Sequence, residues 1–130
     1  MLAQVKPLLL PKETVGRDEQ CGLRLQEHLF PNTHENLRLD KTSRLHFVIS
    51  RQAGMNHIVN KSMNGTYVNK TSLVQDKVYE LRNKDVIAML SPCLPLFTFL
   101  EEVSYCQNST FPVEVPHYFH LFSCLLLKEF

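Results

Sequence analysis

Short runs of β-branched and aromatic residues, separated by turn-forming residues, are the feature that most limits how this chain can fold. Apolar residues do not recur at the spacing of an amphipathic helix, and the runs follow one another at roughly 8 to 12 residue intervals, which is typical of antiparallel sandwiches. We therefore expect an all-β fold, an antiparallel β-sandwich. The expected strands are residues 14–15, 22–25, 45–49, 57–59, 66–68, 78–81, 85–89 and 96–100.

The chain divides into three segments by composition. Residues 14–102 hold the expected strands and form the predicted domain, interrupted by a polar segment, 26–42, that we expect to be a long surface loop. Residues 1–13 contain Pro7 and Pro11, which permit at most an edge strand over residues 5–10. Residues 103–130 end in an apolar tail, which would expose a large apolar patch unless it packs on the sandwich or on a partner.

Charge and composition exclude several classes of function. The net charge of the 130 residues is +1, so no overall field favours nucleic acid or an acidic membrane, and neither is expected as a partner. The apolar run 118–127 is shorter than the ~20 residues that a transmembrane helix needs.

The N-terminus is a poor signal peptide, and the four cysteines lack C-x-x-C spacing, which favours an intracellular protein with reduced thiols. Glycosylation of the N-x-S/T sequences, such as Asn60-Lys61-Ser62, is therefore disfavoured.

Three short motifs in the expected loops carry the residues suited to binding an oxyanion. They are Gly16-Arg17, Ser43-Arg44-Leu45-His46 and Asn64-Gly65-Thr66. Loops of a sandwich cluster at its two ends, so these motifs can converge although they are distant in sequence. Arg17 offers a planar fork of donors that matches a phosphate, the Ser43 hydroxyl can donate to another oxygen, and the Asn64 carboxamide can bind a peptide backbone.

Each motif also has a simpler interpretation. Asn64-Gly65 between two strands is a good signal for a type I′ hairpin turn, Arg17 could be a solvated turn residue, and His46 before Phe47 indicates a hydrogen-bonded core histidine. His117 and His120 lack a third ligand at suitable spacing, so no metal or other cofactor is expected. No nucleophile, base and orienting group can be assembled, so we expect no catalytic residues and no enzyme activity.

Taken together in chain order, the motifs resemble the forkhead-associated (FHA) domain. The matching stretches are V-G-R-D, S-R-L-H-F-V-I, N-K-S-M-N-G-T-Y-V-N and L-R-N-K-D-V-I-A, within residues 14–102. The resemblance implies an eleven-stranded sandwich that binds a phosphothreonine peptide through loops at one end. It implies phosphopeptide contacts by Arg17, Ser43, Arg44 and Asn64, and structural support of the site by Gly16, His46, Gly65, Thr66 and Asn69.

Among FHA proteins the chain most resembles the domain of the checkpoint kinase 2 subfamily. The resemblance implies a role in DNA-damage checkpoint signalling, in the nucleus and also the cytoplasm. Kinase motifs such as G-x-G-x-x-G, H-R-D and D-F-G are absent from the sequence, so the chain would be a truncated relative of such a kinase. The alternative is a regulatory or dominant-negative protein that pairs with itself or with a full-length kinase relative through the FHA surface and the apolar tail, without binding phosphopeptide.

Overall fold

The computed structural model describes residues 5–26, 39–104 and 120–127 and contains two β-sheets. Eleven strands lie in these ranges, together with a short 3-10 helix, Leu39–Lys41, and the described residues contain no α-helix. The strands are β1 (Val5–Pro7), β2 (Lys12–Gly16), β3 (Leu23–Arg24), β4 (Phe47–Gln52), β5 (Met55–Asn60), β6 (Thr66–Val68), β7 (Thr71–Ser72), β8 (Val78–Leu81), β9 (Val86–Met89), β10 (Pro95–Ser104) and β11 (His120–Leu127). The predicted all-β class is confirmed.

One sheet has five strands in the order β3-β2-β4-β5-β8, and the other has six in the order β1-β11-β10-β9-β6-β7. All pairs are antiparallel except β2 with β3, which is parallel. The predicted strands 66–68 and 78–81 agree with β6 and β8, whereas β4 and β10 extend beyond their predicted ends. The ends of β4 and β10 form their hydrogen bonds with other strands, so the local sequence does not mark where β4 and β10 stop.

The core lies between the two sheets and contains side chains from both. Phe47 of β4 meets Phe97 of β10 edge to face, with ring centroids 5.9 Å apart. Val15 and Ile58 of the five-stranded sheet and Phe99 of the six-stranded sheet are fully buried in the same apolar cluster. This shared core makes the two sheets a sandwich, as the resemblance to the FHA domain implied.

The apolar tail contributes a strand to this sandwich. β11 lies between β1 and β10 and pairs with β10 along eight residues, from Phe97 opposite Leu127 to Ser104 opposite His120. Leu125 of β11 is fully buried in the core. The N-terminal edge strand predicted over residues 5–10 is the short β1. No helix in the described ranges is long and apolar enough to cross a bilayer.

Much of the predicted surface loop and part of the C-terminal segment lie outside the described residues. Residues 27–38 of the polar segment are outside them, as are residues 105–119, which include His117. The extent of the domain, residues 14–102, and its boundaries stay a prediction.

Candidate functional site

Three loops meet at one end of the sandwich. β2 ends at Gly16, and the Ser43-Arg44 segment leads into β4. Asn64-Gly65 leads into β6. The pairing of Val15 and Asn60 with Phe47 brings the ends of β2 and β5 to the start of β4. The far end of the same sheet is the β4–β5 hairpin at Ala53-Gly54.

Backbone contacts join the first two loops. The Arg17 N–H donates to the Ser43 carbonyl at 3.0 Å, and the Asp18 N–H donates to the Arg44 carbonyl at 3.1 Å. Gly16 permits this approach, because a Cβ at its position would lie 1.9 Å from the Arg44 carbonyl oxygen. Any larger residue would force the loops apart, so Gly16 supports the site by its lack of a side chain.

The two arginines present their guanidinium groups to solvent. Arg17 Nε donates to the Thr42 carbonyl at 3.1 Å, which fixes the side chain and leaves its two terminal nitrogens without a partner among the described residues. Arg44 is exposed, and in the described part of the chain neither arginine is paired with a carboxylate. Among the described residues, the Ser43 loop is thus flanked by two positive charges without an ion-pair partner, an arrangement that attracts an anion.

Ser43 and Asn64 are connected through a third residue, Ser62. The Ser43 and Ser62 hydroxyl oxygens are 2.8 Å apart, and the Asn64 N–H donates to Ser62 Oγ at 2.9 Å. The Asn64 side-chain nitrogen donates to the Lys41 carbonyl at 2.6 Å. Asn64 is exposed, and its side-chain oxygen has no partner among the described residues, so it is free to accept from a ligand.

We call Arg17, Ser43, Arg44 and Asn64 the loop site. The structure brings together the loops that carry these four residues, which the sequence predicted as phosphopeptide contacts, although up to 47 positions separate them in the chain. Their contact with a ligand stays a prediction, since the geometry shows only that the guanidinium, hydroxyl and carboxamide groups belong to one hydrogen-bonded unit.

His46 joins the Ser43 loop to the Asn64-Gly65 loop from beneath. The side chain is fully buried, its Nδ1 accepts from the Ser43 N–H at 3.1 Å, and its Nε2 lies 2.9 Å from the Gly65 carbonyl. Because Nδ1 accepts, the proton of the neutral ring is on Nε2, which donates to that carbonyl. Burial lowers the pKa of His46 below its ordinary value of 6.5, and the Gly65 carbonyl opposes this only in part.

Gly65 does not form the type I′ hairpin turn that the Asn-Gly pair suggested. β5 and β6 lie in different sheets, and only Gly65 has positive φ (104°), whereas a type I′ turn needs it at both central residues. The two-residue β6–β7 hairpin instead turns at Asn69-Lys70, where φ is 52° and 72°. The Asn-Gly segment therefore crosses between the sheets.

The Gly65 carbonyl is held from two sides. Besides His46, it accepts from the Leu90 N–H at 3.0 Å. Leu90 has φ of 74°, an unfavourable conformation for a residue with a Cβ, and it follows the end of β9. This contact could not be predicted from the sequence, because a leucine has no local preference for that conformation.

Thr66 and Asn60 form a buried network under the Asn64 loop. Thr66 Oγ1 donates to Asn60 Oδ1 at 2.7 Å, the Ser62 N–H donates to the same oxygen at 2.9 Å, and Asn60 Nδ2 donates to the Leu73 carbonyl at 3.3 Å. Asn60 is 3% exposed, so its amide is committed to the fold and not accessible for glycosylation. The sequence analysis did not identify Asn60 and Ser62 as site residues. Their separation by two positions does match an Asx turn, in which an Asn side chain accepts from the N–H two residues further along the chain.

Asn69 lies away from the loop site. Its Nδ2 donates to Asp85 Oδ1 and its Oδ1 accepts from the Val86 N–H, each at 2.9 Å. These bonds join the β6–β7 turn to the start of β9. Asn69 is thus a structural residue of the neighbouring turn, and its support of the loop site stays a prediction.

No group of three potential metal ligands occurs among residues 5–26, 39–104 and 120–127. A cavity of about 220 Å³ lies at the far end of the five-stranded sheet, between Leu8–Pro11 and Arg51. This cavity lies away from the loop site and supplies no residue to it.

The FHA domain model matches residues 13–89, more than half of the chain. The chain therefore belongs to the FHA family, which is a family of binding modules and not of catalytic folds. A comparison with curated protein sequences finds no significant match.

Several solved FHA structures are similar to this chain. The N-terminal FHA domain of S. cerevisiae Rad53p in complex with a phosphothreonine peptide is 17% identical, with a TM-score of 0.52 over 98% of this chain and 92% of that one. The MEK1 FHA domain in complex with a HOP1 phosphothreonine peptide is 25% identical, with a TM-score of 0.48 over 68% of this chain and 89% of that one. An engineered FHA protein with a Myc-pTBD peptide is 19% identical, with a TM-score of 0.48 over 89% of this chain, which spans 64% of that protein.

Proposed function

We propose that the protein binds phosphothreonine peptides at the loop site and has no catalytic activity. The observation that carries the proposal is the hydrogen-bonded connection of the loops, in which Arg17 is joined to the Ser43 backbone and Ser43 is joined through Ser62 to Asn64. The Rad53p domain with a phosphothreonine peptide has the same fold, which supports the choice of ligand.

The roles of the four residues follow from their chemistry. A phosphate group carries a charge of about −1.5 to −2 and three acceptor oxygens, which suit the terminal nitrogens of Arg17 and Arg44 and the Ser43 hydroxyl. The free oxygen of the Asn64 carboxamide accepts a backbone N–H of the peptide. Charge-assisted hydrogen bonds contribute roughly 1.5 to 3 kcal/mol each, so a few of them reach the ~8 kcal/mol of a micromolar complex.

Replacement of Arg17 by alanine tests this proposal. We expect Arg17→Ala to leave the fold intact, because the side chain is exposed, and to weaken binding of a phosphothreonine peptide by about 2 to 5 kcal/mol, because the phosphate loses a principal counter-charge. Isothermal titration calorimetry measures this change, with circular dichroism as the check on folding.

Arg82→Ala is the matched control. Arg82 is equally an exposed arginine, but it follows β8 at the end of the sheet away from the loop site, beside Glu80. This variant should bind like the wild type, and the unphosphorylated peptide should bind to neither protein. Equal affinities of Arg17→Ala and Arg82→Ala would contradict the role of Arg17.

Finer assignments rest on the sequence resemblance to the checkpoint kinase 2 subfamily. We propose that the protein acts in DNA-damage checkpoint signalling, as a relative of a checkpoint kinase, and that it is located in the nucleus and also in the cytoplasm. A pull-down of phosphoproteins from cells before and after DNA damage, with wild type and Arg17→Ala, tests the first part. Fluorescence microscopy of the tagged protein tests the second.

Pairing with a second copy or with a full-length kinase relative is the competing proposal. β11 has strands on both sides, β1 and β10, so this part of the tail presents no free strand edge to a partner. Size-exclusion chromatography of the whole chain distinguishes the proposals. A stable dimer that ignores phosphopeptide would favour the pairing proposal.

A further inference from the structure

Ser62 occupies the junction of the loop site without facing solvent. The residue is 2% exposed, its N–H is bound to Asn60 Oδ1, and its hydroxyl oxygen contacts both Ser43 Oγ and the Asn64 N–H. The buried position excludes direct contact with a peptide. Any effect of Ser62 on binding must therefore pass through Ser43 or Asn64.

The Ser62 hydroxyl can act toward Ser43 either as an acceptor or as a donor. A serine hydroxyl has one proton and two lone pairs, and the Asn64 N–H already occupies one lone pair of Ser62. The remaining bond between the two hydroxyl groups can run in either direction. If Ser43 donates, its only proton is used within the protein, and the group that faces the ligand presents lone pairs alone.

An anionic ligand selects the opposite direction. A phosphate oxygen is repelled by the lone pairs of Ser43 and attracted by its proton, so Ser43 must donate outward and accept from another group. Ser62 is the hydroxyl within hydrogen-bonding distance of Ser43 Oγ, and its proton has no competing acceptor among the described residues.

We propose that Ser62 is a positioning residue that donates to Ser43 Oγ and thereby directs the Ser43 proton to the ligand phosphate. The inference rests on the proposed function of the loop site. The bonds then form one chain, from the Asn64 N–H to Ser62, from Ser62 to Ser43 and from Ser43 to the phosphate. Successive hydrogen bonds that run in one direction polarise each other, so the last donor in the chain is strengthened.

A double-mutant cycle with Ser43→Ala tests the proposal. We expect Ser62→Ala to weaken binding of a phosphothreonine peptide about fivefold, the effect of one ordinary hydrogen bond. In a Ser43→Ala background the same change should have less than about a twofold effect, because residues that act through each other are not additive. If Ser62→Ala proves unstable, Ser62→Cys takes its place. Cysteine is similar in size to serine but its thiol is a weak donor, so the same loss of binding is expected.

Tyr79→Phe is the matched control, since it removes a hydroxyl that accepts from the Val74 N–H at 3.0 Å and that touches no residue of the loop site in the described contacts. It should change peptide affinity by the same small factor in both backgrounds. The pKa of the bound phosphothreonine, measured by ³¹P NMR, should rise in Ser62→Ala and stay at the wild-type value in Tyr79→Phe, because only the first variant weakens a donor to the dianion.

The outcomes separate the two proposals. If the wild type does not bind phosphopeptide, the proposed function fails, and the inference fails with it. If the wild type binds but Ser62→Ala has no effect, tightens binding or weakens it equally with and without Ser43, the inference alone is overturned. A loss that disappears in an Asn64→Ala background but persists in Ser43→Ala would overturn it as well, because Ser62 would then act through Asn64.

Discussion

Single side chains determine whether the loops of the site stay together, as His46 shows. Its ring binds the Ser43 N–H on one side and the Gly65 carbonyl on the other, and only the neutral ring with its proton on Nε2 satisfies both. Protonation would put a donor on Nδ1, opposite the Ser43 N–H. The site and its stability therefore depend on the charge of one buried histidine.

The free energy of unfolding should fall as the pH drops below 6.5. Above that value His46 is neutral in the folded and in the unfolded chain. Below it, the unfolded chain takes up a proton before the folded chain does, because the pKa of His46 is lowered in the folded state. Denaturant titrations between pH 7.5 and 5, without peptide or phosphate buffer, measure the effect. His46→Gln should be less stable at pH 7.5 and should lose less stability on acidification. Parallel curves for the two proteins would show that His46 does not contribute.

Strands were predicted well from the sequence where apolar and β-branched residues coincide, as in β6 and β8. It also identified the loops that meet, because sandwich loops cluster at the ends. The conformation of Asn64-Gly65 could not be predicted, since the same pair suits a hairpin or a crossing between sheets. Partners such as Ser62 for Ser43, or Leu90 for Gly65, are set by tertiary packing and leave no local signal.

The turn of the β6–β7 hairpin contains a residue in an unfavourable backbone conformation. Lys70 adopts a φ of 72° in the second central position of the turn, where glycine is favoured. Lys70→Gly should raise the free energy of unfolding by about 0.5 to 1 kcal/mol through relief of this strain, without a change in peptide binding. Chemical denaturation provides the measurement. Lys12→Gly, in strand β2, should have the opposite effect, and a loss of stability in both variants would rule out strain at Lys70.

The sandwich as a whole includes the C-terminal strand β11, which the sequence indicated only as an apolar tail. β11 pairs with both β1 and β10 and adds Leu125 to the shared core. A tail without polar alternation is compatible with several packings, so its place between two strands could not be derived from pattern alone. The stability of the loop site therefore depends on a strand far along the chain.

Leu125→Ala should lower the free energy of unfolding by about 2 to 5 kcal/mol, because it leaves a cavity in a fully packed core. Denaturant unfolding followed by far-UV circular dichroism measures this. Leu9→Ala is the control, since Leu9 is 77% exposed and its truncation should have little effect. Similar stabilities of the two variants would mean that β11 is not part of the folded core.

The convergence of Arg17, Ser43, Arg44 and Asn64 on one phosphothreonine is tested most directly by NMR titration of the ¹⁵N-labelled chain with a phosphothreonine peptide. We expect the largest amide shift changes at these residues and at Ser62, and none at Ala53 and Gly54 in the hairpin at the far end. The unphosphorylated peptide should cause no changes. Absence of shifts with the phosphopeptide, or shifts centred on the hairpin at Ala53-Gly54, would mean that these four residues do not bind the phosphothreonine together.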